Sequence, residues 1–312
     1  MNNNLTKIVT LIPSATEIVA FLGQKNSIVG RSHECDYPND LNNVIKLTSP
    51  KINVDGTSSE INKQINTILE NSLSVYKVNI EKLKELDPDF IITQAHCDVC
   101  AVNFSEVKNI VNKYLDRETK IISLEPNTLN DVFNDIKRVA KDLNIENETN
   151  NKLINNLKIR IEKIKNLAAT KKQRPLVACI EWIDPLMIAG NWIPGMVEVA
   201  GGTNILGKSG DNSHWIKFEE IIDQNPEIII FIPCGFNIKK TEKELSNHIK
   251  KNNNIRLLQA YKNHKFFVAD GNQFFNRPGP RLVESLEIFA EIIHPDIFDF
   301  KHKGGGWINY ND

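Results

Sequence analysis

Short apolar runs alternate with helical periodicity along most of the chain. IVTLIP (8–13) reads as a buried strand. It leads into SATEIVAFLG, where Ser14 and Glu17 carry the S-x-x-E spacing of a capping box and Gly23 predicts the helix stop. SIVG (27–30) and the stretch from Ile45 to Leu47 predict two more short strands, each running into a polar loop. Thr57 and Glu60 repeat the capping spacing and predict a second helix. ELDPDFIITQ (85–94) reads as a helix end, a turn and a buried strand. KIISLEP (120–126) predicts another strand, and Thr128 with Asp131 opens a further helix. The pattern then changes over residues 146–168, where Ile154, Leu157, Ile161, Ile164 and Ala168 fall on one helical stripe with Lys, Arg and Asn between them. That spacing predicts one amphipathic helix about 33 Å long with no strand beside it. Strands and helices resume with LVACIEW (176–182), a helix near 194–200 ended by Gly201 and Gly202, IIIFIP (228–233), KFFVAD (265–270) and a last helix from Pro280.

Alternating short apolar strands and helices predict an α/β chain with parallel, doubly wound, Rossmann-like sheets. The halves also rhyme. DPDFIIT (87–93) and NPEIIIF (225–231) both run from a polar residue through Pro and an acid into a strand, and each strand leads to a cysteine-bearing loop. The expected organisation is an N-terminal lobe over 1–145, a connecting backbone helix over 146–170 and a C-terminal lobe over 171–312. Ligands of open α/β sheets bind beyond the carboxyl ends of the strands. Two such lobes would therefore hold a ligand in a cleft lined by PSATE, SHECDYP, QAHCDVC and LEPN from the first, and by EWIDP, GNWIPG, PCGFN and DGNQFFNRPGPR from the second.

Composition narrows the classes. The chain has 312 residues, 41% of them hydrophobic and 25% charged, as in ordinary globular proteins, and its formal net charge of −1 offers no field to recruit nucleic acid or anionic lipid. The five cysteines are an odd number in a long chain and do not suggest a disulfide framework. No basic-then-apolar leader or lipobox-type cysteine is visible near the start. A cytoplasmic location is the expectation, with a periplasmic or extracellular one if a leader has been removed. No G-x-S-x-G, Walker-type or G-x-G-x-x-G motif points to a nucleophile or nucleotide, so no catalytic residue is assigned and a binding protein is expected.

Two constellations carry chemistry. His33 and Cys35 follow one first-lobe strand, and His96, Cys97 and Cys100 follow another. Together they offer thiolate and imidazole ligands of the kind Zn or Fe takes. Reduced thiols packing the loops and a redox role for Cys97 and Cys100 are the other readings, and the three stay open. The second constellation is aromatic: Trp182, Trp192, Trp215, Phe236, Phe274 and Phe275 cluster in or near second-lobe loops, with Tyr37 in the first lobe. A large flat ligand is held by such walls with a few placed polar groups. Arg277, just before the last helix, suits a carboxylate or phosphate.

LIPSATEIVAFLG followed by VGRSHECDYP, and the closing DGNQFFNRPGPRLVESLEIFAEIIHP, resemble the periplasmic-binding-protein family for vitamin B12 and iron–siderophores, the type with a helical backbone between two lobes. The resemblance is closest to a signal-less branch of cobalamin-binding proteins. It implies a monomeric binding protein with no required cofactor, which holds a cobalamin-like corrinoid or other metal chelate for an ABC-type transporter. The implied ligand contacts are Ser14, Tyr37, Glu125, Trp182, Asp184, Trp192, Trp215, Phe236, Phe275, Asn276 and Arg277. The alternative is a cytoplasmic metal-binding protein or metalloenzyme using the first-lobe His and Cys loops.

Overall fold

The apolar runs become the strands of two sheets in a computed structural model that describes residues 6–41, 43–70, 75–95, 104–115 and 118–310. The first half holds β1 (Ile8–Thr10), β2 (Ile28–Arg31), β3 (Ile45–Lys46), β4 (Thr48–Pro50), β5 (Tyr76–Val78), β6 (Phe90–Gln94) and β7 (Lys120–Leu124). Five of them form a sheet in the order β3-β2-β1-β6-β7, every neighbour parallel. Val9, Ile91 and Ile92 are fully enclosed, as expected of strands covered on both faces. Its helices are α1 (Pro13–Phe21), α2 (Ser58–Glu70), α3 (Ile80–Leu86), α4 (Phe104–Tyr114) and α5 (Leu129–Asp142). The chain builds outward from β1 to β3 on one side and from β6 to β7 on the other. The order therefore reverses between β1 and β6, the place where sheets of this kind open a crevice. Gly30 lets β2 lie close under its cover, since a Cβ there would meet Leu47 Cδ1 at 2.6 Å and Leu86 Cδ1 at 2.9 Å.

The 22-residue helix α6 (Asn147–Ala168) follows without a strand, its Ile154, Ile164 and Ala168 buried as the stripe predicts. The second half holds β8 (Leu176–Trp182), β9 (Met187–Ile188), β10 (Thr203–Asn204), β11 (His214–Trp215), β12 (Ile228–Phe231), β13 (Phe266–Ala269) and β14 (Trp307–Asn309). They make a seven-stranded sheet in the order β11-β9-β8-β12-β13-β14, with β10 also on β8. Its centre, β8, β12 and β13, is parallel, and β9, β11 and β14 extend it antiparallel. The helices here are α7 (Ile193–Val199), α8 (Phe218–Gln224), α9 (Ile238–Lys251), α10 (Gln259–Lys262) and α11 (Leu282–Ile293). Glu287 on α11 ties distant pieces of this half together: Arg160 Nε of α6 donates to it at 3.0 Å, and His302 Nε2 lies 3.0 Å from its other oxygen.

The contacts divide the chain into two compact units. The first is residues 1–56, 60–125 and 133–153, and the second is 57–59, 126–132 and 154–312. Helix α6 contributes to both. The sequence rhyme has a backbone counterpart. Asp87 (φ 45°) and Asn225 (φ 39°) are the left-handed C-caps of α3 and α8, each followed by a proline that cannot continue the helix. Each turn then feeds the parallel strand, β6 or β12, that lies beside its unit's first strand.

Two expectations about helix starts fare differently. Thr128 and Asp131 form the reciprocal cap of α5, with Asp131 N donating to Thr128 Oγ1 at 3.3 Å and Thr128 N to Asp131 Oδ2 at 2.8 Å. Ser14 and Glu17 do not cap α1. The helix starts at Pro13, a residue suited to the first helical position, with Ile12 as an N-cap that makes no side-chain bond because its side chain has no acceptor. Among the described residues no helix is long and apolar enough to cross a membrane.

Candidate functional site

In the first unit the loop after β2 is fixed by its own polar groups. Arg31 is buried and donates from Nε to Leu41 O at 3.1 Å, and from a terminal nitrogen to Cys35 O. Thr48 Oγ1 is the hub. It accepts from His33 N at 3.0 Å, lies 2.7 Å from His33 Nδ1 and lies 2.9 Å from Ser32 Oγ. The His33 ring packs on Tyr76 at 5.4 Å between centroids, and the Tyr76 phenol donates to Glu34 Oε1 at 2.9 Å. Burial, aided by the nearby Lys46 charge, lowers the His33 pKa to about 4, so its imidazole is neutral at physiological pH. Cys35 turns inward and is buried. Its Sγ accepts from Thr16 Oγ1 at 2.9 Å, and Thr16 Oγ1 in turn lies 2.7 Å from Thr10 Oγ1. His33 and Cys35 are therefore held by different partners, Thr48 and Thr16. His96, Cys97 and Cys100 lie outside the described residues. Among the described residues no three His, Cys, Asp or Glu side chains gather as a metal site.

At the β1–β6 switch point, Ser14 Oγ and Thr93 Oγ1 are enclosed hydroxyls that no described residue hydrogen-bonds. Ser14 was singled out by its sequence and Thr93 was not, because nothing in an apolar strand pattern marks one hydroxyl. Glu125 is exposed, and its backbone N–H donates to Asp135 Oδ2 at 3.0 Å. Tyr37, in the loop after β2, is 42% exposed.

In the second unit the loops after β8, β12 and β13 are knitted together. Gly271 sits so close to the loop after β12 that a Cβ would lie 2.2 Å from Pro233 O. Asn276 Nδ2 donates to Ile232 O and to Gly271 O, each at 3.0 Å. Asp270 accepts from Asn272 N at 3.0 Å and Gln273 N at 2.8 Å, and Arg277, buried, donates to Asn272 Oδ1 at 3.1 Å. Trp182 and Phe236 pack at 5.2 Å, with Lys240 Nζ 3.8 Å from the Phe236 ring centre. Asp184 is half-buried, and its charge acts on His248. Trp192 is buried with Nε1 donating to Phe275 O at 2.9 Å, and Phe275 is fully enclosed against Phe289 at 4.8 Å. Trp192 and Phe275, like Trp182 and Phe236, are thus buried within the structure. Trp215, by contrast, is 54% exposed on edge strand β11.

Glu181, at the end of β8, has its ionisation displaced by its surroundings. Burial pushes its pKa up to about 7 against the lowering effect of Ser213, whose Oγ donates at 2.6 Å. Ser213 in turn accepts from Gly190 N at 3.0 Å, so the carboxyl organises the β9–β11 ribbon. In both units many polar side chains are occupied in holding loops.

A family described as periplasmic binding protein matches residues 8–272. The chain belongs to that family. Its members are solute-binding proteins of ABC transporters and not enzymes. Among curated proteins the chain is similar to the ABC transporter substrate-binding lipoprotein YvrC of Bacillus subtilis, at 23% identity over 94% of this chain and 81% of that protein. Among solved structures it is similar to IsdE of Staphylococcus aureus complexed with heme, with a TM-score of 0.70 and 19% identity over 93% of this chain and 99% of that one. The periplasmic vitamin B12 binding protein BtuF of Vibrio cholerae superposes with a TM-score of 0.65 and 19% identity over 92% of this chain and 96% of that one. These likenesses fix the fold as the two-lobed α/β type of that family. They also correct the cytoplasmic expectation: the family is periplasmic, and the Bacillus relative is a lipoprotein of an ABC transporter.

Proposed function

We propose that this binding protein is the substrate-binding component of an ABC-type uptake system whose ligand is a cobalamin-like corrinoid or a related metal chelate. The observation that carries the reading is the family match over residues 8–272, in which similar proteins include a vitamin B12 binder and a heme binder. Those two ligands share a broad macrocycle around a chelated metal. Such a ligand needs apolar and aromatic contact area and few placed polar groups. Trp215, 54% exposed on edge strand β11, supplies a ring of that kind and offers a face for stacking.

Titration of the full chain with aquocobalamin and with hemin, followed by tryptophan fluorescence, tests the reading. Quenching should saturate at one equivalent for at least one chelate, at micromolar concentration or below. Trp215→Ala should bind that chelate roughly 10-fold more weakly, the loss of a typical aromatic anchor, with an unchanged melting temperature. Absence of quenching by either chelate at micromolar concentration would contradict the reading.

A further inference from the structure

Resting on that reading, we infer that His33 Nε2 is an axial ligand to the metal of the bound chelate, and hence that the chelate is one with an exchangeable axial position. The geometry of the loop after β2 carries this. His33 is held at three points: its backbone N and its Nδ1 both lie on Thr48 Oγ1, at 3.0 and 2.7 Å, and its ring rests on Tyr76. The ring is only half-buried, and no described residue hydrogen-bonds Nε2. A side chain fixed so firmly, with one ring nitrogen unspent at the carboxyl end of a sheet, is arranged as metal-binding histidines are. Their second nitrogen is tied to a neighbour that sets tautomer and orientation.

The protons can be placed without conflict. With Nδ1 protonated, Thr48 Oγ1 accepts both the His33 backbone N–H and the Nδ1–H and gives its own proton to Ser32 Oγ. Ser32 Oγ also accepts from Glu34 N at 3.4 Å. Nε2 then carries a lone pair. In the binding step the bond from metal to its axial water breaks and a bond from metal to Nε2 forms. Water leaves, and the oxidation state of the metal does not change.

The neighbours decide between a chelated and a bare ion. Cys35 Sγ points inward to Thr16, and the Glu34 carboxylate takes the Tyr76 phenol, so neither joins His33. A bare Zn or Fe ion needs about four protein ligands. A metal already held by a macrocycle needs one, and one is what the described part of this loop presents.

Absorption spectroscopy of the full chain with aquocobalamin and with hemin tests the inference. At least one complex should move from the spectrum of the water-ligated chelate to that of the imidazole-ligated one. In His33→Ala the chelate should remain water-ligated and bind at least about 10-fold more weakly, the order of effect a lost metal contact gives. Free imidazole added to His33→Ala should restore the shifted spectrum. Thr48→Val should keep the shift but weaken it, since only the orienting partner is removed. A wild-type complex that quenches tryptophan fluorescence with an unshifted spectrum would overturn the axial role and leave the chelate reading standing. So would a shift that survives in His33→Ala. No binding of either chelate in either readout would overturn both. The wild-type spectrum needs no variant, so a poorly folding His33→Ala does not blunt the test.

Discussion

Glu181 shows how a single carboxyl reports on its surroundings. Its folded pKa of about 7 stands above the ordinary carboxyl value of 4.5, so the folded state disfavours the ionised form. The linked stability is full below pH 4.5 and is lost as pH rises through about 7. Glu181→Gln keeps an acceptor for Ser213 and removes the charge. Its melting temperature should exceed the wild type's at pH 8 by about 2 °C and match it at pH 4, as differential scanning calorimetry would show. An equal shift at both pH values would mean that the charge is not the cause. At this scale the sequence was partly legible. His33 and Tyr37 could be picked out because histidine and tyrosine in a polar post-strand loop are conspicuous. Thr48 could not, because only the fold brings residue 48 beside residue 33. An aromatic in a loop reads the same in sequence whether it is buried, as Trp192 and Phe275 are, or exposed, as Trp215 is.

At the scale of elements, local chemistry was read well where it is self-contained. LVACIEW coincides with β8, and the stripe over 146–168 coincides with α6 to within a residue at its start. The Thr128 and Asp131 cap needs no partner from elsewhere, and it forms. Thr128→Ala should cost about 1 kcal/mol in chemical denaturation, with an unchanged denaturant slope. A change below a few tenths would show that α5 is started by its packing. The Ser14 and Glu17 pattern failed because Pro13 moved the helix start ahead of it. Helix α9 was missed since KKTEKELSNHIKK is mostly charged, and only Thr241, Leu245 and Ile249, spaced by four, betray its buried face. Strands β9, β11 and β14 are two or three residues long, and antiparallel pairing at a sheet edge leaves little periodic trace.

At the scale of the molecule, the alternation of strand and helix and the strandless α6 were enough to foresee two α/β units. The paired Asp87 and Asn225 turns explain why the halves rhyme: each must end a helix in a left-handed residue and enter a buried parallel strand at once. Location was misread because it was inferred from the chain's first residues, which carry no information about which side of a membrane its relatives work on. The family resolves that, and it leaves the ligand to be found. Native mass spectrometry of the purified full chain, incubated with aquocobalamin and separately with hemin, asks the question most directly. One chelate retained per chain, released only on denaturation, is the result the chelate reading predicts. A spectrum showing only the bare polypeptide after both incubations would contradict it.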